Sequence, residues 1–271
     1  MKYKYKIINF FLKIFSENFD KKINFNWDLQ PKRWDLINLL IDEFKFSNYL
    51  EIGVYKLENF NRILCKKKTG VDPKINYLDL ENIGEVKKIR SVASIGGEGV
   101  GYNIKKLTSD NFFLKCDEKF DLIFIDGLHL FNTVRRDIKN SLNVLREGGF
   151  ILVHDSLPDR LRSQMVPRAH EKWNGDVWKS IIELRTLNDL VIYTVLIDEG
   201  ISVIFKLNDY KNKNININYS ALQLSLFDKL KNKSFFNFKK LQFQDYYYNY
   251  QNYLNTIALD DFKLLIKTLN S

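Results

Sequence analysis

The apolar run "LIFI" (122–125) ends in Asp126, with His129 three residues later, and the apolar run "FILV" (150–153) ends in His154 and Asp155. A carboxylate set against so dry a strand is costly unless a cation, a metal or hydrogen-bond donors hold it, so these run ends mark a site. Two more acids stand at the same kind of place, Glu51 in "YLEIGV" (49–54) and Asp72 in "TGVD" (69–72). If Asp126 and Asp155 lie on neighbouring strands, their repulsion calls for a hard divalent cation, which would orient a substrate hydroxyl and lower its pKa. His129 is then either the base that takes the proton or a helix-start residue bonded to backbone. Asp72 follows Glu51 by 21 positions, the separation at which a second-strand carboxylate reaches the two hydroxyls of a ribose. The turn between them has Gly53, but Tyr55 and Leu57 stand where a pyrophosphate would ask for glycines. That suits an adenosyl ligand with a compact tail better than a nicotinamide dinucleotide.

These residues need elements to hold them. Leu36, Leu39, Leu40 and Phe44 recur at helical spacing after Pro31, and "NYLEIGV" (48–54) reads as a buried strand. The alternation continues with a helix over 59–66, a strand over 69–74, a third strand near 104–108, a strand over 120–126, a helix over 133–145, a strand over 150–155 and a helix over 177–187. Two last strands, "LVIYTVLID" and "ISVIFK", form a hairpin about Glu199 and Gly200. Alternating strands and helices predict an α/β, doubly wound, mostly parallel sheet whose carboxyl edge carries the acids. "SIGGEGVGY" (94–102) has four glycines but no Lys-Ser/Thr after it, and reads as a turn, not a phosphate loop. Ile8, Phe11, Leu12, Phe15 and Phe19 give an amphipathic N-terminal helix, and Phe262, Leu265, Ile266 and Leu269 keep helical spacing in a segment that from Asn208 onward has neither Gly nor Pro. The expected division is an extension over 1–30, an α/β domain over 31–207 and a helical appendage over 208–271, with the appended helices available for homo-oligomer contacts.

Among 271 residues, 45% hydrophobic and 14% aromatic, there is material for one large core. The net charge of +9 comes from 42 Lys plus Arg against 33 acids. Lys, Asn, Ile, Phe and Tyr abound throughout the chain, so the surplus reads as a coding bias, and no nucleic-acid partner is expected. Cys65 and Cys116 form no C-x-x-C pair, which excludes a disulfide scaffold and fits a reducing cytoplasm. No run reaches the roughly 20 apolar residues that span a bilayer.

"YLEIGV", "TGVD", "TSDNFF", "FDLIFIDGLH" and "GGFILVHDS" resemble, in order and spacing, the S-adenosylmethionine-dependent methyltransferases of the Rossmann-like class. The likeness is closest to the branch of the macrolide-sugar O-methyltransferases and the cephalosporin-biosynthesis methyltransferase, and covers residues 34–206. It implies a seven-stranded sheet with S-adenosylmethionine on Glu51, Gly53, Tyr55, Asp72 and Asp110. It further implies a divalent cation, Mg2+ by that likeness, on Asp126 and Asp155, and His129 as base toward a hydroxyl of a sugar, glycan or similar small polar acceptor. His154 departs from relatives, which often have an acid there. In "EKWNGDVWKS" (171–180), Trp173 would stack on a flat ligand, and Asp176 either helps the metal or caps the following helix. Arg160, Arg162 and Arg168 lie in a basic stretch, part of an expected lid over 157–173, where they would hold a phosphate or carboxylate. Two other functions stay open: nucleic-acid methylation, although "IDGLH" replaces the expected Asp/Asn-Pro-Pro-aromatic run, and a non-catalytic binding or assembly protein that kept the fold.

Overall fold

The computed structural model describes residues 22–29, 31–75, 101–213 and 238–271. The expected N-terminal helix and most of the glycine-rich stretch lie outside the described residues. The described strands are β1 (Asn48–Ile52), β2 (Lys67–Val71), β3 (Gly101–Lys105), β4 (Phe120–Ile125), β5 (Leu145–Val153), β6 (Leu190–Val195), β7 (Ile201–Lys206) and β8 (Thr256–Ile257). The helices are α1 (Arg33–Phe44), α2 (Glu58–Arg62), α3 (Ser109–Phe113), α4 (Phe131–Val144), α5 (Leu161–Gln164), α6 (Val177–Leu184), α7 (Phe243–Leu254) and α8 (Leu259–Asn270). They build one sheet in the order β3-β2-β1-β4-β5-β7-β6-β8. β1 to β5 pair parallel, while β7 runs antiparallel to both β5 and β6.

The central strands are apolar on both faces because helices cover both faces. Successive residues point to opposite sides. Leu50, Ile52, Ile123, Ile125, Ile151 and Val153 join a core with Val134 and Ile138 of α4 and Trp178 of α6. Tyr49, Leu122, Phe124, Phe150 and Leu152 face a second core with Leu36 and Leu40 of α1, Phe60 of α2 and Phe262 of α8. From β1 the chain first builds outward through β2 to β3, then crosses to β4 on the other side of β1. The switch point between β1 and β4 is where a doubly wound sheet opens a crevice at its carboxyl edge.

Two expectations need correction. Among the described residues the sheet has eight strands, not seven: the two-residue β8 pairs parallel to β6, Thr194 opposite Thr256. The third strand is Gly101–Lys105, not 104–108; as an edge strand exposed along nearly its whole length, it has no apolar run to announce it. Among the described residues no helix is long and apolar enough to cross a membrane.

Candidate active site

The ladder of the sheet continues one residue beyond each strand. Asp72 N–H donates to Lys105 O (3.1 Å), Gly53 N–H to Val71 O (2.8 Å), Asp126 N–H to Ile52 O (2.8 Å) and His154 N–H to Ile125 O (3.0 Å). Asp72, Gly53, Asp126 and His154 therefore stand in one row along the carboxyl edge, set there by register alone. Asp155 is one step further, and its left-handed backbone (φ +60°) turns the chain at once. Such a conformation costs about 1–3 kcal/mol in a residue with a side chain and persists where the surroundings enforce it.

Gly53 (φ +92°) is where β1 and β4 nearly touch: a Cβ there would lie 2.1 Å from Asp126 O. The next turn has the backbone of a glycine loop without its glycines, Tyr55 at φ +39° and Leu57 at φ +64°. Tyr55 is exposed and Leu57 fully buried. Asp72 locks this turn, accepting from Tyr55 N–H through Oδ2 (3.0 Å) and from Lys74 N–H through Oδ1 (2.7 Å). Glu51 lies beneath the row, buried, with Oε2 accepting from Tyr49 Oη (2.7 Å) and Asn59 Nδ2 (2.9 Å). Burial outweighs those two bonds and pushes its carboxyl up to about 7. Asp110, in the first turn of α3, pairs with Arg136 at the surface.

Asp126, His129, His154 and Asp155 meet in one cluster. Asp126 Oδ1 lies 3.3 Å from His129 Nε2 and 3.4 Å from His154 Nδ1. Asp155 Oδ2 lies 3.1 Å from His129 Nδ1 and 3.3 Å from His154 Nδ1. Burial would raise the Asp126 carboxyl, but His154, the bond to His129 and Arg33 hold it well below the usual carboxylate range. Burial likewise disfavours a charged His129, yet Asp155 and then Asp126 lift it to about 9. His129 Nδ1 also faces Trp173 O at 2.9 Å, so both neighbours of that nitrogen are acceptors. Nε2 faces a carboxylate as well, Asp126 Oδ1 at 3.3 Å, so both ring nitrogens are set to donate and the ring acts as a base only once it has lost one of those protons.

The segment 173–176 is pressed onto His129. The Trp173 ring stacks on the imidazole (centroids 5.5 Å apart), with the Arg168 guanidinium on the Trp173 ring, 5.8 Å from its centroid. Gly175 (φ +62°) passes so close that a Cβ would strike His129 O. Asp176 is buried and accepts from Phe131 N–H (2.6 Å), so it satisfies the first turn of α4, not of the helix that follows it. The expected lid is tied at its base, where Pro158 O accepts from Tyr246 Oη (3.1 Å) and Asp159 O from Ile23 N–H (2.8 Å).

Four residues that sequence reasoning passed over complete the cluster. Arg33, the first residue of α1, reaches Asp126 Oδ2 with Nη1 (2.6 Å) and Asp198 Oδ2 with Nε (2.9 Å) and with its backbone N–H (3.0 Å). Asn174 Nδ2 bridges Asp155 Oδ1 (2.7 Å) and Glu199 Oε2 (2.9 Å). Burial, then Asp155, push Glu199 up to about 7. Asp198 and Glu199 form the turn between β6 and β7 with positive φ at both positions, a demand usually met by Asn-Gly. Asp-Glu in its place is the one signal that could have drawn attention to this turn.

Asp126, His154 and Asp155 each offer a ligand atom, all within 4.8 Å of one another. Two carboxylates and an imidazole fit a divalent ion, with His154 turning Nδ1 toward both carboxylates and Nε2 toward Asp198 Oδ2 (3.6 Å). The carboxylates suit Mg2+ or Mn2+, and the imidazole also admits ions of the Fe2+ or Zn2+ kind.

Residues 69–156 match the family model described as a methyltransferase domain. No curated protein sequence matches the chain. Among solved structures, the O-methyltransferase of Streptomyces achromogenes involved in tomaymycin synthesis, in complex with SAM, is 13% identical over 64% of this chain and 79% of its own, with a TM-score of 0.48. The O-methyltransferase from Bacillus cereus in complex with SAH is 14% identical over 67% of this chain and 84% of its own, at 0.47. The SAH-bound methyltransferase of Podospora anserina is 17% identical over 64% and 77%, at 0.46. The strand order is that of a doubly wound, Rossmann-like α/β domain, and residues 69–156 of it resemble a methyltransferase domain. The matched stretch contains Asp72, Asp110, Asp126, His129, His154 and Asp155, and leaves out Glu51, Gly53, Arg33 and Asp198.

Proposed function

We propose that the chain is an S-adenosylmethionine-dependent O-methyltransferase acting on a hydroxyl of a small polar molecule, a sugar or glycan in particular. The observation that carries the reading is the row along the carboxyl edge: an acid after β2, a glycine in contact with the end of β4, and a histidine-carboxylate cluster after β4 and β5. Asp72 has both oxygens fixed by backbone donors and half exposed, so each keeps a lone pair for a ribose hydroxyl. Gly53 lets the end of β1 pack directly on the backbone of Asp126, and the left-handed Tyr55 and Leu57 keep the loop's shape although their side chains replace glycine. This supports cofactor binding over the non-catalytic alternative.

When bound, S-adenosylmethionine supplies a methyl group on a sulfonium, ready for displacement by an oxygen nucleophile. Once neutral, His129 would take the hydroxyl proton on Nε2, with Trp173 O and Asp155 as acceptors on Nδ1 and the Trp173 ring covering one face. Asp126, His154 and Asp155 would hold a divalent cation, which when bound would lower the pKa of an acceptor hydroxyl.

Calorimetric titration with S-adenosylmethionine tests the reading. Asp72→Ala should weaken binding by about 1.5–3 kcal/mol, or roughly 10- to 150-fold. Unchanged affinity in that variant, or no binding to the wild-type chain, sinks it.

A further inference from the structure

The metal reading leaves Arg33 unexplained. Its guanidinium donates to Asp126 Oδ2 at 2.6 Å and lies 3.4 Å from His154 Nδ1, so it stands between two of the three candidate ligands. An ion about 2.0–2.2 Å from the same atoms would share that space and that sign of charge. We infer that Arg33 is the resident cation of this site and a built-in competitor of the divalent ion, which Asp126, His154 and Asp155 can grip only when the guanidinium leaves Asp126. The inference rests on the metal reading given above.

The geometry of the pair with Asp198 says how Arg33 would leave. Asp198 accepts from both the backbone N–H and Nε of Arg33 and is buried, with Lys32 Nζ 3.8 Å from its other oxygen. Asp126 is held by Nη1 alone. Turning the planar guanidinium off Asp126 also turns Nε–H, so the backbone N–H bond is the contact that keeps Asp198 in place while the side chain swings away. Asp198 is no member of the ligand set; from its left-handed turn it holds Arg33 and faces His154 Nε2 at 3.6 Å.

Mn2+ titration of the metal-stripped full chain, by calorimetry or by loss of the free-ion paramagnetic resonance signal, separates the possibilities. Arg33→Met should bind Mn2+ about tenfold or more tightly than wild type. The double variant Arg33→Met with Asp198→Asn, which leaves no lone carboxylate, should do the same and is the one to read if the single variant does not fold by circular dichroism. Asp155→Asn should remove the binding in either background. Equal or weaker Mn2+ affinity in the folded Arg33 variants, with Asp155→Asn still abolishing it, overturns the inference and leaves the metal reading standing. No Mn2+ on wild type or on either Arg33 variant removes the metal reading and this inference with it.

Discussion

His129 sits between two carboxylates that both want its ring charged, whereas a base must be neutral. Burial lowers its affinity for a proton, but Asp155 first and Asp126 after it lift the pKa to about 9. Because the folded value lies above the ordinary 6.5, the stabilisation by the charged ring is fully present below about pH 6.5 and is lost as pH rises through about 9. The neutral ring appears over the same range, so turnover in ion-free protein should climb toward pH 9. A cation on Asp126 and Asp155 would cancel the anions and bring the base into the neutral range. The His129 ring resonance should titrate near 9 in chelator-treated protein and move lower when a diamagnetic divalent ion binds; a midpoint at or below 6.5 without ion would show that the carboxylates do not govern it. His129→Ala should cost roughly 10²- to 10⁴-fold in turnover. Asp126, His129 and Asp155 were legible in the sequence because each ends or follows a dry apolar run. Arg33 was not, since its partners Asp126 and Asp198 lie 93 and 165 positions away and no local pattern announces such a pairing.

Elements carry these residues, and Asp176 shows how one element steadies another. It precedes α6 yet accepts from Phe131 N–H at the start of α4, the helix that follows the His129 loop. Sequence spacing suggests a cap of the following helix, and misses the true one because the bond joins segments 45 positions apart. Asp176→Ala would leave a buried N–H without a partner, so stability in urea should fall by about 1–3 kcal/mol. Mn2+ affinity should be unchanged in the same variant; a large loss would instead place Asp176 on the ion. Strands were legible to the degree that they are buried on both faces: β1 and β4 are buried along their whole length, and their runs stand out. β3 is exposed and β8 has two residues, so neither leaves the apolar signature by which strands are read.

At the scale of the molecule, the end of the chain bears on the site through α1. Phe262, Ile266 and Leu269 of α8 are buried in the same core as Leu36, Ile37 and Leu40 of α1, and Asn270 Nδ2 donates to Glu43 O (3.0 Å). The first residue of α1 is Arg33, so the helix that delivers the resident cation is clamped between the sheet and α8. On the other face, Tyr246 of α7 packs on Trp178 of α6, and Tyr250 meets Phe25 of the N-terminal segment. The helical spacing of Phe262, Leu265, Ile266 and Leu269 was visible in the sequence, but an amphipathic face does not name what covers it. Phe262→Ala empties a fully buried ring from this core and should cost about 3–5 kcal/mol. If α8 is part of the same cooperative unit, chemical denaturation followed by tryptophan fluorescence and by circular dichroism will show one coincident transition, moved to lower denaturant in the variant. Two separate transitions, with the sheet's own midpoint unmoved, would mean that α8 is a detachable appendage with no hold on the placement of Arg33.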